Sequence, residues 1–301
     1  MNSIEITISS IIFMIFLGFV LKKINLLKEN DIDSLNKIVI NVAFPCMIFN
    51  AMYGADLNLL PKLGILPFII LGSSLIVGVI SYILLKASGY SKKKLWSVLI
   101  TVVLGNTGFI GVPVSLGVFG YQGLIRAIFC DISSSVIFLI LSFILVFLFG
   151  GTLKKALKKI LLFPPLWAII FGILFNLWNI QIGPVFDNII TYLAGAAIPL
   201  IMISLGVSIK IDGLRWNKMM VTFTSIMKLL VFPLVTMVIV IFLGSSSLEY
   251  NIPIIQAAMP SGMLTLVLAV SYDLDFRLTS DCILISTLFS LITLPIIISI
   301  I

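Results

Sequence analysis

The chain consists of long, continuously apolar runs that are separated by short polar segments. An α-helix needs about 20 apolar residues to cross the hydrocarbon core of a bilayer. Ten runs approach that length, at roughly 4–22, 34–54, 62–85, 94–119, 122–149, 164–180, 185–209, 217–243, 250–272 and 277–300. Because the runs do not alternate between apolar and polar residues, a membrane β-barrel is excluded. We therefore expect an all-α membrane protein with ten transmembrane helices.

The composition excludes several classes of function. Of the 301 residues, 60% are hydrophobic and 10% are charged, whereas soluble domains have about 25% charged residues. The chain has no histidine, which removes the commonest metal ligand and general base. Its cysteines, Cys46, Cys130 and Cys282, form no C-x-x-C pair. We expect no metal, cofactor or catalytic residue, and we attribute the net charge of +7 to loops rather than to a nucleic-acid partner.

Lysine and arginine residues concentrate in alternate loops between the predicted spans. These residues are Lys22, Lys23, Lys28, Lys37, Lys86, Lys92, Lys93, Lys94, Lys154, Lys155, Lys158, Lys159, Lys210, Arg215, Lys218 and Arg277. The positive-inside rule makes these loops cytoplasmic, so both termini are expected outside the cytoplasmic membrane. Lys62 and Arg126 are expected near the opposite interface. The segment Thr152–Leu162 is predicted to form an amphipathic helix on the cytoplasmic surface.

Sequence spacings recur at an offset of about half the chain. Gly18, Asn25 and Pro45 correspond in this way to Gly172, Asn179 and Pro199. A repeat of five spans must insert in the opposite sense the second time. We therefore predict two inverted five-helix repeats, residues 1–150 and 151–301, which is a plan known from secondary transporters.

The predicted spans four and nine contain residues that interrupt a helix. Span four carries Gly105, Gly108, Gly111 and Pro113, and span nine carries Ala257 to Met263 around Pro260. Interrupted spans at corresponding positions of two halves indicate a transporter binding site, whose free helix ends attract anions. The candidate substrate-binding residues are Asn106, Thr107, Gly108, Pro113, Pro260 and Ser261, with Asn50 as a further residue that lines the cavity. Pro45 and Pro199 are interpreted as kinks of the framework.

Three ionisable residues lie within predicted spans, where charges are costly and often functional. Asp131 shares a helix face with Ser134 and Ser135 and is either a proton carrier or the partner of Lys228 in an internal ion pair. Lys228 either balances a buried carboxylate or attracts an anionic substrate. Asp281 is a coupling candidate that can also reach the membrane interface from the start of span ten.

The motif Asn106-Thr107-Gly108-Phe109-Ile110-Gly111-Val112-Pro113 resembles the N-T-x-x-x-G-x-P signature of the auxin efflux carrier family. Pro260-Ser261-Gly262, Val42 to Pro45 and Ala196 to Leu200 are similar to further motifs of that family in the same order. The resemblance implies a fold of the bile-acid-symporter type, in which spans 1, 2, 6 and 7 form a scaffold and spans 3–5 and 8–10 a moving core. It also implies an elevator mechanism, a homodimer and a role for Asn106 in contacting substrate.

The resemblance and the residues together favour a carrier of a small organic anion such as a mono- or dicarboxylate. Plant members usually have Gln where this chain has Ser261, which argues against auxin as the substrate. A carrier of Na⁺ or H⁺ with a related fold and a membrane sensor that binds a ligand without transporting it remain alternatives. An intramembrane enzyme is disfavoured because no histidine is present to activate Ser261.

Overall fold

The computed structural model describes residues 3–150, 157–158, 161–208, 217–244 and 247–301. Most of the predicted amphipathic segment Thr152–Leu162 lies outside these residues. The described residues are helical, apart from loops and one isolated bridge between Gly105 and Ser261. The fold is therefore all-α, as predicted.

Fourteen α-helices are found within the described ranges. They are α1 (Ser3–Lys23), α2 (Glu29–Ile38), α3 (Phe44–Tyr53), α4 (Leu60–Leu63), α5 (Leu66–Ala87), α6 (Lys92–Val103), α7 (Val112–Phe149), α8 (Pro164–Leu177), α9 (Pro184–Ser208), α10 (Lys218–Ile226), α11 (Phe232–Phe242), α12 (Ser247–Ala257), α13 (Leu264–Ser271) and α14 (Phe276–Ile300). Helix α7 has a non-helical residue at Gly120, with φ 63° and ψ −156°.

Three π-helical turns continue directly into a helix that has proline at its second position. The turns are Val39–Ala43, Thr107–Gly111 and Met227–Val231, and the prolines are Pro45, Pro113 and Pro233. Proline has no N–H and cannot donate to the carbonyl four residues earlier. A wider π-turn accommodates that loss without ending the helix, and such turns are frequent at functional sites.

Six continuous helical stretches among the described residues are long and apolar enough to cross a membrane. They are Asn30–Tyr53, Pro61–Ala87, Thr107–Phe149, Pro184–Ser208, Lys218–Phe242 and Phe276–Ile300. Helices α6, α8, α12 and α13 are 12, 14, 11 and 8 residues long, too short to cross alone. The count of ten spans thus stays a prediction, since it depends on joining such pieces across interruptions.

The described chain divides into two compact units. The first contains Met1–Leu60, Leu116–Ile125 and Lys158–Lys210. In this unit α1 packs along α9, and α3 packs against α8 and α9. A methyl group built on Gly206 in α9 would overlap the carbonyl oxygen of Ile15 in α1, so the backbones of these two helices touch.

The positions that recur in the sequence have similar local roles in this unit. Asn25 and Asn179 both adopt positive φ, 59° and 50°, just after α1 and α8 end. Gly18 and Gly172 each lie against the backbone of a neighbouring helix, at Ile203 and Phe49 respectively. Asparagine tolerates the left-handed conformation that ends many helices. The inverted repeat itself stays a prediction.

The second unit contains Pro61–Ser115, Arg126–Leu157 and Ile211–Ile301. Helix α5 packs against α6 and α11, α11 packs against α12, and α14 packs against α10 and α6. Both segments that the sequence marks as interrupted lie in this unit. It also holds Asp131, Lys228 and Asp281.

Candidate functional site

The two segments that interrupt helices in the second unit pair with each other. The backbone N–H of Asn106 donates to the carbonyl of Pro260 at 2.7 Å, and that of Gly262 donates to the carbonyl of Leu104 at 2.9 Å. Gly105 faces Ser261 in an antiparallel bridge. Backbone groups that leave a helix inside a membrane must find other partners. The two interruptions satisfy part of that need through each other, which brings the predicted motifs of spans four and nine together.

Ser261 fastens this pairing to the surrounding helices. Its hydroxyl donates to the carbonyl of Thr101 at 2.8 Å, and its N–H donates to the hydroxyl of Ser286 at 3.1 Å. The Ser261 side chain is fully buried. In this conformation its hydrogen bonds go to protein groups. Ser286 and Thr101 were not singled out by the sequence, because a serine or threonine in an apolar run usually bonds its own helix.

Thr107 connects the first interruption to Asp131 in α7. The Thr107 hydroxyl donates to Oδ1 of Asp131 at 2.5 Å and lies 2.6 Å from the hydroxyl of Ser134. A Cβ atom built on Gly108 would lie 3.2 Å from Oδ2 of Asp131, so the carboxylate rests on the π-turn Thr107–Gly111. The structure thus brings together four residues that the sequence proposed from separate motifs.

Lys228 is buried beside the same interruption, with 1% of its surface exposed. A Cβ atom built on Gly105 would lie 2.8 Å from Nζ of Lys228. The ammonium lies 3.4 Å from the carbonyl oxygen of Ala257 and 3.9 Å from the centroid of the Phe232 ring. No ion pair joins Lys228 to Asp131, in contrast to the alternative raised from the sequence. The ammonium therefore has a long hydrogen bond and a cation–π contact, but no anionic side chain pairs with it among the described residues.

Asn106 provides a second polar side chain at this place. It is 5% exposed, and its side-chain amide has no hydrogen-bond partner among the described residues. Buried amides in proteins are normally hydrogen-bonded. A side chain that can donate and a nearby ammonium together form a place where an anion can be bound.

The other residues predicted for the site lie partly at the paired interruptions and partly elsewhere. Pro113 is the second residue of α7, and Pro260 supplies the carbonyl that receives the N–H of Asn106. Asp281 in α14 is 9% exposed. Asn50 lies in the first unit, where its carbonyl accepts a hydrogen bond from the hydroxyl of Tyr121 at 2.9 Å.

Two buried polar features of this unit were missed by the sequence reading. Arg126, expected at the membrane interface, is 6% exposed, and its Nη2 lies 2.6 Å from Oε1 of Glu249. Gln256 is fully buried and donates to the hydroxyl of Ser115 at 3.1 Å, while its own oxygen has no partner among the described residues. A glutamine four residues before Pro260 in an apolar run was the available signal for the second feature.

Several apolar helices of membrane-crossing length, together with paired interruptions that hold buried polar groups, define a multi-pass membrane protein of the transporter class. The chain belongs to the membrane transport protein family, which matches it over residues 4–155 and 148–298. This is the family type of the auxin efflux carriers, as the motifs around Asn106 and Pro260 predicted.

Its relatives agree with this assignment. An uncharacterized transporter of Methanothermobacter thermautotrophicus is 39% identical over 295 residues, covering 98% of this chain and 97% of that protein. An uncharacterized transporter of Methanocaldococcus jannaschii is 34% identical over 294 residues, covering 94% of each chain. Auxin efflux carrier component 2 of Oryza sativa subsp. japonica is 26% identical over 140 residues, covering 44% of this chain and 22% of that protein.

Proposed function

We propose that this protein is a secondary transporter that moves a small organic anion, a mono- or dicarboxylate, across the cytoplasmic membrane. The anion binds where the two interrupted segments pair. Asn106, the backbone N–H groups of the π-turn that begins at Thr107 and the free helix ends bind its carboxylate, and Lys228 supplies the compensating charge. Asp131 is the group that carries a proton if transport is coupled to one.

The observation that carries this proposal is that Lys228 is buried with no anionic partner among the described residues. A buried ammonium without an anionic partner is costly, and a carboxylate ligand would relieve that cost. The amide of Asn106, on the segment that Lys228 contacts at Gly105, adds a donor for the same ligand. Asp131 does not compete for this role, since its carboxylate is bonded to Thr107.

The proposed cycle is an elevator-type alternation of access. The second unit, which carries the site, would be the moving core, and the first unit would be the scaffold, in a homodimer with both termini outside. The division into units supports this assignment. The first unit contains α1, α3, α8 and α9, which lie in the predicted scaffold spans 1, 2, 6 and 7, and the second contains α5, α6 and α10 to α14, which lie in the predicted core spans.

Uptake by proteoliposomes tests the function. Purified protein reconstituted into liposomes is expected to take up labelled malate, malonate or succinate with saturable kinetics. Asn106→Ala removes one hydrogen bond to a charged group, worth about 1.5–3 kcal/mol, and should raise KM about tenfold or more. Asn58→Ala, at an exposed residue, is the matched control and should transport like the parent.

Three results would contradict parts of the proposal. Unchanged uptake by Asn106→Ala would remove that residue from the site. Binding of acids, seen as thermal stabilisation, without any flux would identify a ligand sensor. A current that follows Na⁺ or H⁺ with no organic anion present would identify a cation carrier, for which the oxygens of Asp131, Thr107 and Ser134 and the free oxygen of Gln256 are the specific support.

A further inference from the structure

An open apolar groove lies on the second unit. Helices α5, α6 and α7 form it, and its volume is about 330 Å³. Its walls include Leu75, Val79 and Tyr82 of α5, Trp96 and Val103 of α6 and Ile140 of α7. The groove runs for about 16 Å along α5 from Leu71 to Tyr82, given a helical rise of 1.5 Å per residue. It thus has the length and surface for a single hydrocarbon chain.

The lining residues face out of the protein. Leu75 is 69% exposed, and Val79 and Ile140 are each 50% exposed. Helix α5 belongs to a stretch with a mean hydropathy of 2.5, so these side chains belong in the bilayer. Apolar surface of this kind is normally covered by lipid or by another protein.

One end of the groove is marked by aromatic and basic residues. The rings of Tyr82 and Trp96 lie 6.1 Å apart, and this pair of residues is typical of the membrane–water interface. The ammonium of Lys86 lies 5.8 Å from the centroid of the Tyr82 ring. The groove is therefore apolar along its length and has a cation at the end that lies at the membrane interface.

The neighbouring lysines show which cations are available. Lys92 donates to the carbonyl of Leu148 at 2.9 Å, and Lys93 pairs with Asp273. Lys86 and Lys94 have no ion pair within the described chain. Lys86 lies in the last turn of α5 and Lys94 in the first turn of α6, on either side of the loop that the positive-inside rule places on the cytoplasmic side, where the surface of a membrane is rich in anionic lipid.

We propose that this groove binds an anionic phospholipid, with one hydrocarbon chain between α5, α6 and α7 and the phosphate at Lys86. The charge at the aromatic end is complementary to an anionic headgroup and gives no advantage to a zwitterionic one. This site is separate from the anion site at the interruptions and does not depend on the transport proposal.

Fluorescence quenching tests the proposal directly, because Trp96 lines the groove and is only 8% exposed. Replacing Trp167, Trp178 and Trp216 by Phe leaves Trp96 as the reporter. In liposomes, brominated phosphatidylglycerol is expected to quench Trp96 with about fivefold higher relative affinity than brominated phosphatidylcholine, the effect of one lysine near an anionic headgroup. Lys86→Gln should reduce this preference to about one, whereas Lys62→Gln, on the opposite predicted side, should leave it unchanged.

A second pair of variants distinguishes lipid bound in the groove from lipid that only touches the surface of the protein. Val79→Phe fills the groove and should reduce quenching by both lipids, whereas Ile83→Phe, on an exposed residue of α5 outside the groove, should not. Equal quenching by both lipids in the parent, or the same loss in Lys62→Gln, would overturn the proposal. Absence of quenching by either lipid would also overturn it and would indicate that protein, such as a second copy, covers the groove.

Discussion

Lys228 is the residue on which the assignment of an anionic substrate depends. It lies in the π-turn Met227–Val231, five residues before Pro233, where a wider helical turn directs its side chain toward Gly105 and Ala257. Thr107 lies at the start of another π-turn that precedes a proline. The ammonium of Lys228 and the hydroxyl of Thr107 are thus presented by helix segments that a following proline has altered.

Lys228→Gln separates a role in substrate binding from a role in stability. Loss of a charge-assisted hydrogen bond should raise the KM for the anion by about tenfold or more. The free protein should be as stable as the parent or more stable, because the substitution removes a buried charge without an anionic partner. Uptake and thermal unfolding in detergent measure the two effects, with Lys62→Gln at an exposed position as the control. A large loss of stability with normal KM would show that Lys228 is structural.

At the scale of elements, close contact between helices depends on where glycine is placed. In the first unit α9 carries Gly206 against the backbone of α1 and Gly195 in open space. The same helix therefore offers a tightly packed glycine and an unpacked one. Small residues allow such contacts in membranes, where lipid gives apolar helices little driving force to associate.

Gly206→Ala and Gly195→Ala should have opposite effects on stability. The added methyl group at Gly206 overlaps the carbonyl oxygen of Ile15, and overpacking of this kind costs about 1–3 kcal/mol. At Gly195 nothing lies within 4 Å, so alanine should stabilise the helix by up to about 1 kcal/mol. Thermal unfolding of the two variants in one detergent gives the comparison, and similar unfolding temperatures would contradict the contact between α1 and α9.

At the scale of the whole molecule, the predicted orientation decides which loops meet the cytoplasm. The lysine-rich loop between α5 and α6 should be inside, and the segment between α3 and α4 should be outside. This orientation also places the cationic end of the lipid groove in the cytoplasmic leaflet.

Labelling of single cysteines checks the orientation. In a chain whose three cysteines are replaced by alanine, Asn58→Cys should react with a membrane-impermeant maleimide added to intact cells. Ser88→Cys should react only after permeabilisation. Both residues are exposed, so accessibility in the fold does not bias the comparison. Reaction of Ser88→Cys in intact cells would reverse the proposed topology.

Much of the fold could be predicted because the bilayer restricts a chain so strongly. The all-α class follows from continuous apolar runs, and the interruptions near Pro113 and Pro260 follow from glycine and proline in those runs. The π-turn at Lys228 could not be predicted so directly, since Pro233 resembles any other proline in a membrane helix. The burial of Arg126 was missed because its partner, Glu249, is 123 residues away.

The sequence by itself determined the membrane class, the all-α fold and the family, and it predicts the two interrupted spans. Each of these depends on composition or local spacing, which the chain carries without reference to distant residues. Only the tertiary structure decided that the two interruptions pair, that Asp131 bonds to Thr107 and that Lys228 has no anionic partner in the part of the chain that the structure describes. Those facts depend on distances between side chains far apart in the chain, and such distances exist only after the helices have packed.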